Sequence, residues 1–459
     1  MTAARRTPLA DHVADAVALL AAVRGIGTSS LGAAAVGRVA AAPLRSRVDV
    51  PGLDNSQMDG FAVASAELAG DGAAVTLPRG ETIAAGDAPG RLAPGTARPI
   101  MTGAPLPDGA DLVIPVEESA QGRFAPAGAG SDAAADPAGS GADGTGAAGS
   151  GAATGTATTT GSEPETVTLI PADVTPGRFV RRRGSDTHRG DTVLREGQVL
   201  TPARIAHLAA CGLREAEVVA PLRAVVLSTG AEVLSAGPEV RGSADALPAP
   251  GTLHDANGPG LAAALTEAGA EVVHRGAVPD DAGLLLERLR AEVLGHDADL
   301  VITSGGVSMG AFEVVRHAAE LPGTTLAFPT LAMQPGGPQG IGTLEVEGRR
   351  VPWLAFPGNP VSALLSCELI ARPALGAPPR RRLRLPVQLE AEETSPEHLE
   401  QYRRARVLPS GRVRLVGGPS SHLIGGYAAA DALAIVPVGT ATVRDGDLLE
   451  TLLIPGGDS

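Results

Sequence analysis

Residues 51–62, with the sequence PGLDNSQMDGFA, combine turn-forming residues with two carboxylates. The Pro51-Gly52 and Asn55-Ser56 pairs are typical of loops, and an apolar, strand-like segment follows them. Asp59 stands beside Gly60, which lacks the side chain that would keep a ligand away from the carboxylate. The run therefore predicts either a surface turn capped by an aspartate or a carboxylate placed against a ligand.

Two glycine-bearing loops follow predicted strands later in the chain. The first is Ser228-Thr229-Gly230, and the second, at 304–310, reads SGGVSMG. In open α/β sheets ligands bind outside the carboxyl ends of the strands, and glycines let backbone N–H groups approach an anion. The second loop is therefore a candidate anion site, in which the hydroxyls of Ser304 and Ser308 would add donors to the backbone N–H groups, or it is an ordinary glycine-rich turn.

Two shorter motifs lie near these loops. In residues 254–257 (HDAN) Asp255 could ligate Mg²⁺ or position a water, or it could compensate the charge of a helix N-terminus, and Asn257 is a possible N-cap. In residues 356–362 (FPGNPVS) Asn359 can cap a helix and Pro360 suits its first position. Such a helix would aim free N–H groups at the preceding loop, which is an anion site if a ligand uses it.

The charges of the chain limit its partners. The formal net charge is −14 and the pI about 5.2, and all 37 basic side chains are arginine. An acidic chain is a poor candidate for general nucleic-acid binding. Residues 181–186, RRRGSD, form either a solvated charge run or the best guanidinium cluster for an anionic substrate.

The cysteines and the N-terminus predict a cytoplasmic protein. Cys211 and Cys367 are far apart without metal-type spacing, which is typical of two reduced, buried thiols. Leu9, Val13, Val17 and Leu20 would share one face of a structural helix, so the N-terminus does not resemble a signal peptide. No apolar stretch is long enough to span a membrane, so no membrane partner is expected.

The order of patterns predicts several domains, since 459 residues exceed one ordinary core. Helical patterns cover 8–40 and 201–212. Strand patterns at 110–117 and 165–170 flank an Ala/Gly/Ser/Thr-rich insertion at 125–163, which is predicted to be disordered. From 223 onward strands and helices alternate, which predicts a parallel sheet covered on both faces. The expected elements there are 224–227, 258–269, 271–278, 282–294, 299–303 and 312–320.

A small all-β tail follows, with expected strands at 382–389, 404–407, 412–416, 432–436 and 448–453. The predicted organisation is thus multi-domain α/β plus β. A discontinuous N-terminal domain of helical and mixed character takes residues 1–47 and 173–218, and a β-rich domain, 48–172, is inserted in it. A doubly wound α/β domain takes 219–375 and a C-terminal β domain takes 376–459.

Together these motifs resemble the MoeA / gephyrin E-domain family, the molybdenum-inserting enzymes of molybdenum cofactor synthesis. NSQMDGFA resembles the N-S-x-M-D-G-[YF]-A signature, IMTGAPLP at 100–107 resembles I-M-T-G-A-P-[VL]-P, and RRRGSD resembles R-x-x-G-E-D. The 228–230 and 304–310 loops resemble those of the molybdopterin-binding domain shared with MogA/MoaB proteins. HDAN resembles [YF]-D-[ST]-N, and FPGNPVS resembles L-P-G-N-P-V-S.

The resemblance implies a MogA/MoaB-like α/β domain, a C-terminal β-barrel-like domain, and Mg²⁺-assisted insertion of molybdate into adenylylated molybdopterin with release of AMP. It implies a homodimer whose cleft lies between subunits, and a molybdopterin adenylyltransferase is a candidate partner. Asp59, Thr102 and Asp255 would be catalytic, and Asp59, Asp255, Glu232 and Asp186 would hold the metal. The pterin and phosphate would be held by Ser228, Thr229, Gly230, Asn257, Ser304, Gly305, Gly306, Ser308, Gly310, Pro357, Gly358, Asn359, Pro360 and Arg183.

Five positions depart from the family pattern: Ser185, Ala231, Glu313, Gln334 and Gly337. They remove carboxylates that could bind Mg²⁺ and lysines that could bind an oxyanion. A non-catalytic paralogue that carries molybdopterin is therefore the alternative, favoured by Ser185 and Ala231. A stand-alone adenylyltransferase activity is a third hypothesis, but it leaves the Asp59 and Thr102 motifs without a role.

Overall fold

The computed structural model describes residues 6–122, 165–234, 250–308, 310 and 313–455. The chain forms two compact units. The first contains Met1–Pro43, Arg195–Ile205 and Glu215–Ser459, and the second contains Leu44–Leu194 and Ala206–Arg214. The insertion predicted at 125–163 and the first residue of the helix predicted at 312–320 lie outside the described residues. The domain boundaries given above stay predictions.

A six-stranded sheet organises the α/β part of the first unit. Its spatial order is Glu271–Val278, Arg223–Thr229, Leu300–Ser304, Arg349–Phe356, Gly340–Val346 and Thr324–Ala327. The first four strands are parallel, and the last two are antiparallel to their neighbours. The sequence did not predict the antiparallel strands at this edge, where Glu347 and Gly348, both with positive φ, turn a hairpin.

Alternating side chains cover both faces of this sheet, as a doubly wound domain requires. Ala224 and Val226 pack in one apolar cluster, and Val225 and Leu227 pack in another. Other strands and the flanking helices add further residues to both clusters. The bounds of these helices are Asn257–Glu267, Ala282–Gly295, Val314–Ala318, and Pro360–Ser366 continued by the π-helix Cys367–Ala371 and by Arg372–Ala374.

The N-terminal segment begins with the helix Leu9–Ala21, but the helical prediction fails after it. Ile26–Ser30 is a strand paired antiparallel with Glu215–Val219. A single 3₁₀ turn, Ala33–Ala35, follows, and Pro202–Ala210 is a helix. Gly25, Gly27 and Gly32 interrupt the apparent helical run, and tertiary pairing overrides the helix propensity of the alanines.

The C-terminal β-barrel is confirmed. Five strands close on themselves, because Glu400–Val407 pairs with both Val413–Leu415 and Ala432–Val436. Arg382–Gln388 and Leu448–Leu453 complete the ring. Shorter elements of the first unit are Val233–Leu234, Leu253–His254, Met333–Gln334, Glu393–Thr394, Thr442–Val443 and the helix Ile424–Ala428.

The second unit is built from short strands. Gly60–Val63 lies between Arg98–Ile100 and Leu112–Pro115 in a three-stranded sheet. Val75–Pro78 pairs with Thr166–Leu169. The other pairs are Asn55–Ser56 with Val180–Arg181 and Leu44–Arg45 with Thr192–Leu194, and Ser65–Glu67 and Val116–Glu118 are 3₁₀ turns. Within the described part of both units, no helix combines the length and apolar character needed to cross a membrane.

Candidate active site

A polar cavity of about 420 Å³ lies at the carboxyl ends of the parallel strands. From Arg223–Thr229 the chain goes to the edge strand Glu271–Val278 on one side and then to Leu300–Ser304 on the other. This reversal is a topological switch point, where open α/β sheets bind ligands. Residues 228–230, 305–306 and 358–360 line the cavity from three strand ends.

Asp255 joins two walls of the cavity. Its Oδ1 accepts hydrogen bonds from the Ser228 hydroxyl at 2.8 Å and from the Gly258 backbone N–H at 2.9 Å. Asp255 is 8% exposed. A Cβ on Gly258 would stand 2.3 Å from the other carboxylate oxygen, so a larger residue there would displace the Asp255 side chain. Asp255 is thus the side-chain acceptor at the start of the helix Asn257–Glu267. The prediction that Asn257 is the N-cap of this helix is wrong, because Asn257 is already its first residue.

Asn257 instead connects the second and third loops. Its Nδ2 donates to Ser304 Oγ at 2.8 Å and to the Gly358 carbonyl at 2.6 Å, and Ser304 Oγ donates onward to the Pro357 carbonyl at 3.2 Å. The Oδ1 of Asn257 is buried and has no hydrogen-bond partner within the described chain. A buried acceptor of this kind at a cavity wall is suited to a ligand donor.

Two glycines let the central loops approach each other. Gly305 has a φ of +101°, and a Cβ there would lie 2.5 Å from Thr229 Oγ1 and 2.8 Å from its carbonyl oxygen. Gly306, with a φ of +68°, would place a Cβ 2.8 Å from the Val315 backbone nitrogen. Both positions therefore require glycine for conformation and for space.

The loop N–H groups are largely used by the protein itself. Ala231 N–H donates to Asp280 Oδ2 at 3.2 Å, and the N–H groups of Ser308 and Gly310 donate to Glu313 at 2.9 Å and 3.1 Å. These three backbone N–H groups therefore already have acceptors within the chain.

The helix that starts at Pro360 shows the same feature. Asn359 is its N-cap residue but its side chain makes no capping hydrogen bond. Val361 N–H donates to the Ser421 carbonyl at 3.2 Å, and proline contributes no N–H. The predicted set of free amides at this helix start is therefore smaller than the sequence suggested.

The cavity is acidic. Glu232, Asp255, Asp280 and Glu313 line it, and its described lining residues include no arginine or histidine. Asp280 was missed by sequence reasoning. The signal was its position two residues after the strand Glu271–Val278, at the same sheet edge as the other loops.

The structure brings most of the predicted α/β residues together. The cavity is lined by Ser228, Thr229, Gly230, Glu232, Asp255, Asn257, Gly305, Gly306, Ser308, Gly358, Asn359 and Pro360. Ser304 and Pro357 lie behind this wall through the Asn257 and Ser304 hydrogen bonds, and Gly310 is held by Glu313. Asp59, Thr102, Arg183 and Asp186 belong to the second unit.

In the second unit Asp59 and Thr102 form a pair. Asp59 Oδ1 accepts from the Thr102 backbone N–H at 2.7 Å and from the Thr102 hydroxyl at 2.9 Å. Both residues are exposed. Gly60 was expected to give a ligand access to the carboxylate. In the structure a Cβ at this position would lie 2.2 Å from the Ile114 carbonyl oxygen of the neighbouring strand. Strand pairing therefore requires glycine at this position, and Thr102 orients the carboxylate.

The arginine run is tied to two aspartates of the same unit. Arg183 Nε donates to Asp49 at 2.6 Å, and Arg182 donates to Asp54 at 2.7 Å. Hydrogen bonds from the Arg189 backbone and the Arg183 side chain lower the pKa of Asp49 below its ordinary value. Arg183 is 63% exposed on its side chain, so its remaining N–H groups can reach a ligand.

Asp186 stands apart from these pairs. Its carboxylate lies 4.0 Å from His207 Nε2 and is 68% exposed. Within the described residues, the only set of three or more metal-binding side chains that converge is His274, Glu292 and His296, which does not line the cavity. Glu232 and Asp255, the two predicted metal-binding residues of the first unit, are not part of such a converged set.

Comparison with known families covers most of the chain. The "MoeA N-terminal region (domain I and II)" model matches residues 8–212, the "Probable molybdopterin binding domain" model matches 225–377, and the "MoeA C-terminal region (domain IV)" model matches 386–454.

Among relatives, molybdopterin molybdenumtransferase 2 of Mycobacterium tuberculosis (strain H37Rv) is 37% identical over 419 residues, covering 88% of this chain and 89% of that protein. The molybdopterin molybdenumtransferase of Synechococcus elongatus is 30% identical, covering 90% and 91%. The crystal structure of the molybdopterin biosynthesis moeA protein from Pyrococcus horikoshii OT3 superimposes with a TM-score of 0.69 at 20% identity, covering 98% of this chain and 100% of that one. That similarity concerns the fold.

Proposed function

The chain belongs to the MoeA family of molybdopterin molybdenumtransferases, and from that premise we propose that it inserts molybdate into adenylylated molybdopterin with Mg²⁺ and releases AMP. Transferase activity in molybdenum cofactor biosynthesis, with molybdopterin and molybdate as substrates, follows from the family. The Mg²⁺ dependence, the release of AMP and a homodimeric assembly are the proposed part.

The observation that carries the proposal is the cavity at the switch point. Its volume, about 420 Å³, lies within the range of small-molecule sites. The unpartnered Oδ1 of Asn257 can accept an N–H from a pterin ring. The glycines at 305 and 306 let the central loops pack closely against Thr229 and Val315, and this packing shapes the wall that a planar ligand would meet.

The donor set of the cavity fits Mg²⁺. Glu232, Asp255, Asp280 and Glu313 offer the hard oxygen ligands that this ion prefers. Mg²⁺ commonly keeps several waters and uses one or two carboxylates with substrate phosphates, so a converged three-carboxylate set is not required. An acidic cavity would repel a phosphoanhydride unless a cation lay between them. When bound, Mg²⁺ supplies charge neutralisation and orientation for phosphoanhydride cleavage.

The residues of the chain then have distinct roles. Asp255, anchored by Ser228 and by the start of the next helix, is the best-fixed metal ligand, and Glu232 is a second. Asn257 orients the pterin while it holds the 304 and 358 loops together. Asp59, oriented by Thr102, is the second catalytic carboxylate, and Arg183 is the guanidinium that binds anionic substrate groups.

The Asp59→Asn variant tests the catalytic assignment. The amide keeps its oxygen as an acceptor for Thr102 and removes the charge. We expect turnover to fall on the order of 100-fold, while the dissociation constant for molybdopterin changes little. AMP release and pterin binding are measured on the same preparation. A near-normal rate would remove Asp59 from the mechanism.

A non-catalytic carrier of molybdopterin is the second candidate function, because Ser185 and Ala231 depart from the family pattern. In addition, Asp280 and Glu313 already accept hydrogen bonds from backbone N–H groups of the loops. The double variant Ser185→Glu/Ala231→Asp separates the two functions. A large gain in AMP release would identify the natural chain as a weakened catalyst or a carrier. An unchanged rate would support full competence. ATP-dependent adenylylation by the purified chain would instead revive the adenylyltransferase hypothesis.

A further inference from the structure

A second cluster of chemically capable side chains lies away from the cavity. His274 is on the edge strand Glu271–Val278, Glu292 is on the helix Ala282–Gly295, and His296 is the residue that ends this helix. Their candidate ligand atoms all lie within 4.8 Å of one another. None of the three lines the cavity, and the proposed transferase reaction gives them no role.

Two of the three ligand–ligand distances match a tetrahedral metal site, and the ligand atoms of the two histidines lie within 4.8 Å of each other. Glu292 Oε2 lies 3.1 Å from His274 Nδ1 and 3.2 Å from His296 Nε2. Zinc–ligand bonds of about 2.0–2.1 Å in tetrahedral geometry place ligand atoms roughly 3.3 Å apart. The two imidazole–carboxylate edges therefore already have the lengths that an ion would impose. His274 lies on a strand and Glu292 on a helix, so regular backbone holds two of the three ligands in place.

The surroundings also suit an ion. The side chains of His274 and Glu292 are 19% and 12% exposed, whereas His296 is 38% exposed and leaves a route from solvent. Arg288 Nε donates to Glu292 Oε1 at 2.8 Å, so the guanidinium holds one oxygen and leaves Oε2 toward the histidines. This resembles the outer-shell support that orients carboxylate ligands in metal sites.

We propose that His274, Glu292 and His296 bind one divalent transition-metal ion, with Zn²⁺ the best match, and that this ion fastens the edge strand to the helix. Two imidazoles and a carboxylate are ligands of borderline ions, not of Mg²⁺. The fourth position is left for water. A plain hydrogen-bonded His–Glu–His contact is the competing explanation of the same distances, and it requires no ion.

The test uses the full-length protein, freed of any histidine tag and treated with chelator. Zn²⁺ is titrated in competition with a chromophoric chelator, and Co²⁺ absorption reports the coordination number. The natural protein is expected to bind one equivalent with a four-coordinate Co²⁺ spectrum. His296→Gln, at the most exposed ligand, should weaken Zn²⁺ binding at least about 10-fold, and His317→Gln, at an exposed histidine elsewhere, should not.

Thermal unfolding supplies a second readout, followed by the fluorescence of Trp353, the single tryptophan of the chain. Zn²⁺ should raise the unfolding midpoint of the natural protein and of His317→Gln, and leave that of His296→Gln unchanged. The proposal is overturned if no stoichiometric Zn²⁺ binds at micromolar concentration, or if His296→Gln binds it as tightly as the natural protein.

Discussion

Replacement of Asp255 separates its structural role from its chemical one. The carboxylate accepts a hydrogen bond from a buried hydroxyl and another from a buried helical N–H, both through Oδ1. Hydrogen bonds to charged groups contribute about 1.5–3 kcal/mol each, and truncation also leaves the donors unsatisfied. We therefore expect Asp255→Ala to lose about 3 kcal/mol of unfolding free energy in the α/β domain.

Asp255→Asn keeps an acceptor oxygen in the same place. Because Asn and Asp are about equally good acceptors at helix starts, the Asp255→Asn variant should lose less than about 1 kcal/mol of unfolding free energy. The charge, however, is gone from the cavity. Turnover should therefore fall on the order of 100-fold in both variants, although only one of them is unstable.

The assay follows Trp353 fluorescence in urea and AMP release in parallel. Trp353 is fully buried and its Nε1 donates to Thr303 Oγ1 at 2.9 Å in the same sheet, so it reports the α/β domain. Asp281 is the matched control: it accepts from Leu284 N–H at 2.8 Å at another helix start and does not line the cavity. Asp281→Ala should cost about 1 kcal/mol and leave turnover unchanged. Full activity in Asp255→Asn, or equal instability in Asn and Ala, would refute the reasoning.

Three further outcomes follow. Position 305 has a positive φ, and a Cβ there would contact Thr229. Gly305→Ala should therefore lower the free energy of unfolding by about 2–4 kcal/mol and remove most of the pterin affinity measured by calorimetry. Gly295→Ala, on a helix with open space around it, should be neutral or stabilising. Burial raises the pKa of Cys367 to about 12, and both cysteines are buried, so a thiol reagent at pH 8 should label the native protein only after unfolding; rapid native labelling would contradict this. Burial lowers the pKa of His12 below its ordinary 6.5, so as the pH falls below 6.5 the unfolded chain takes up the proton first and the free energy of unfolding decreases. In urea titrations between pH 7 and 5, His12→Gln should reduce this dependence of stability on pH. An unchanged dependence would count against the prediction.

Sequence reasoning succeeded where local pattern and topology agree. The strands 271–278, 432–436 and 448–453 were predicted to the residue, because apolar runs bounded by turn residues leave few alternatives. The rule that ligands lie at strand carboxyl ends placed the loops at 228–230 and 304–310 at one sheet edge, and the structure adds residues 358–360 to the same cavity.

The remainder depended on contacts between distant residues. Helix propensity favoured 22–40, but pairing with Glu215–Val219 makes part of it a strand. The sequence spacing does not predict that Asp280 accepts a hydrogen bond from the Ala231 N–H, because the two residues are 49 positions apart. Nor did it predict that Glu313 accepts from the N–H groups of Ser308 and Gly310. Nor does the sequence tell that Gly60 serves strand pairing and that Thr102 orients Asp59, since both follow from tertiary packing.

The most direct test of the central claim is AMP release from adenylylated molybdopterin by the purified protein with Mg²⁺, measured with and without molybdate. We predict release that requires molybdate and that Asp255→Asn and Asp59→Asn both suppress. Tight binding of the adenylate without any release would contradict the transferase assignment and identify a carrier. Absence of binding would mean that the cavity holds a different ligand.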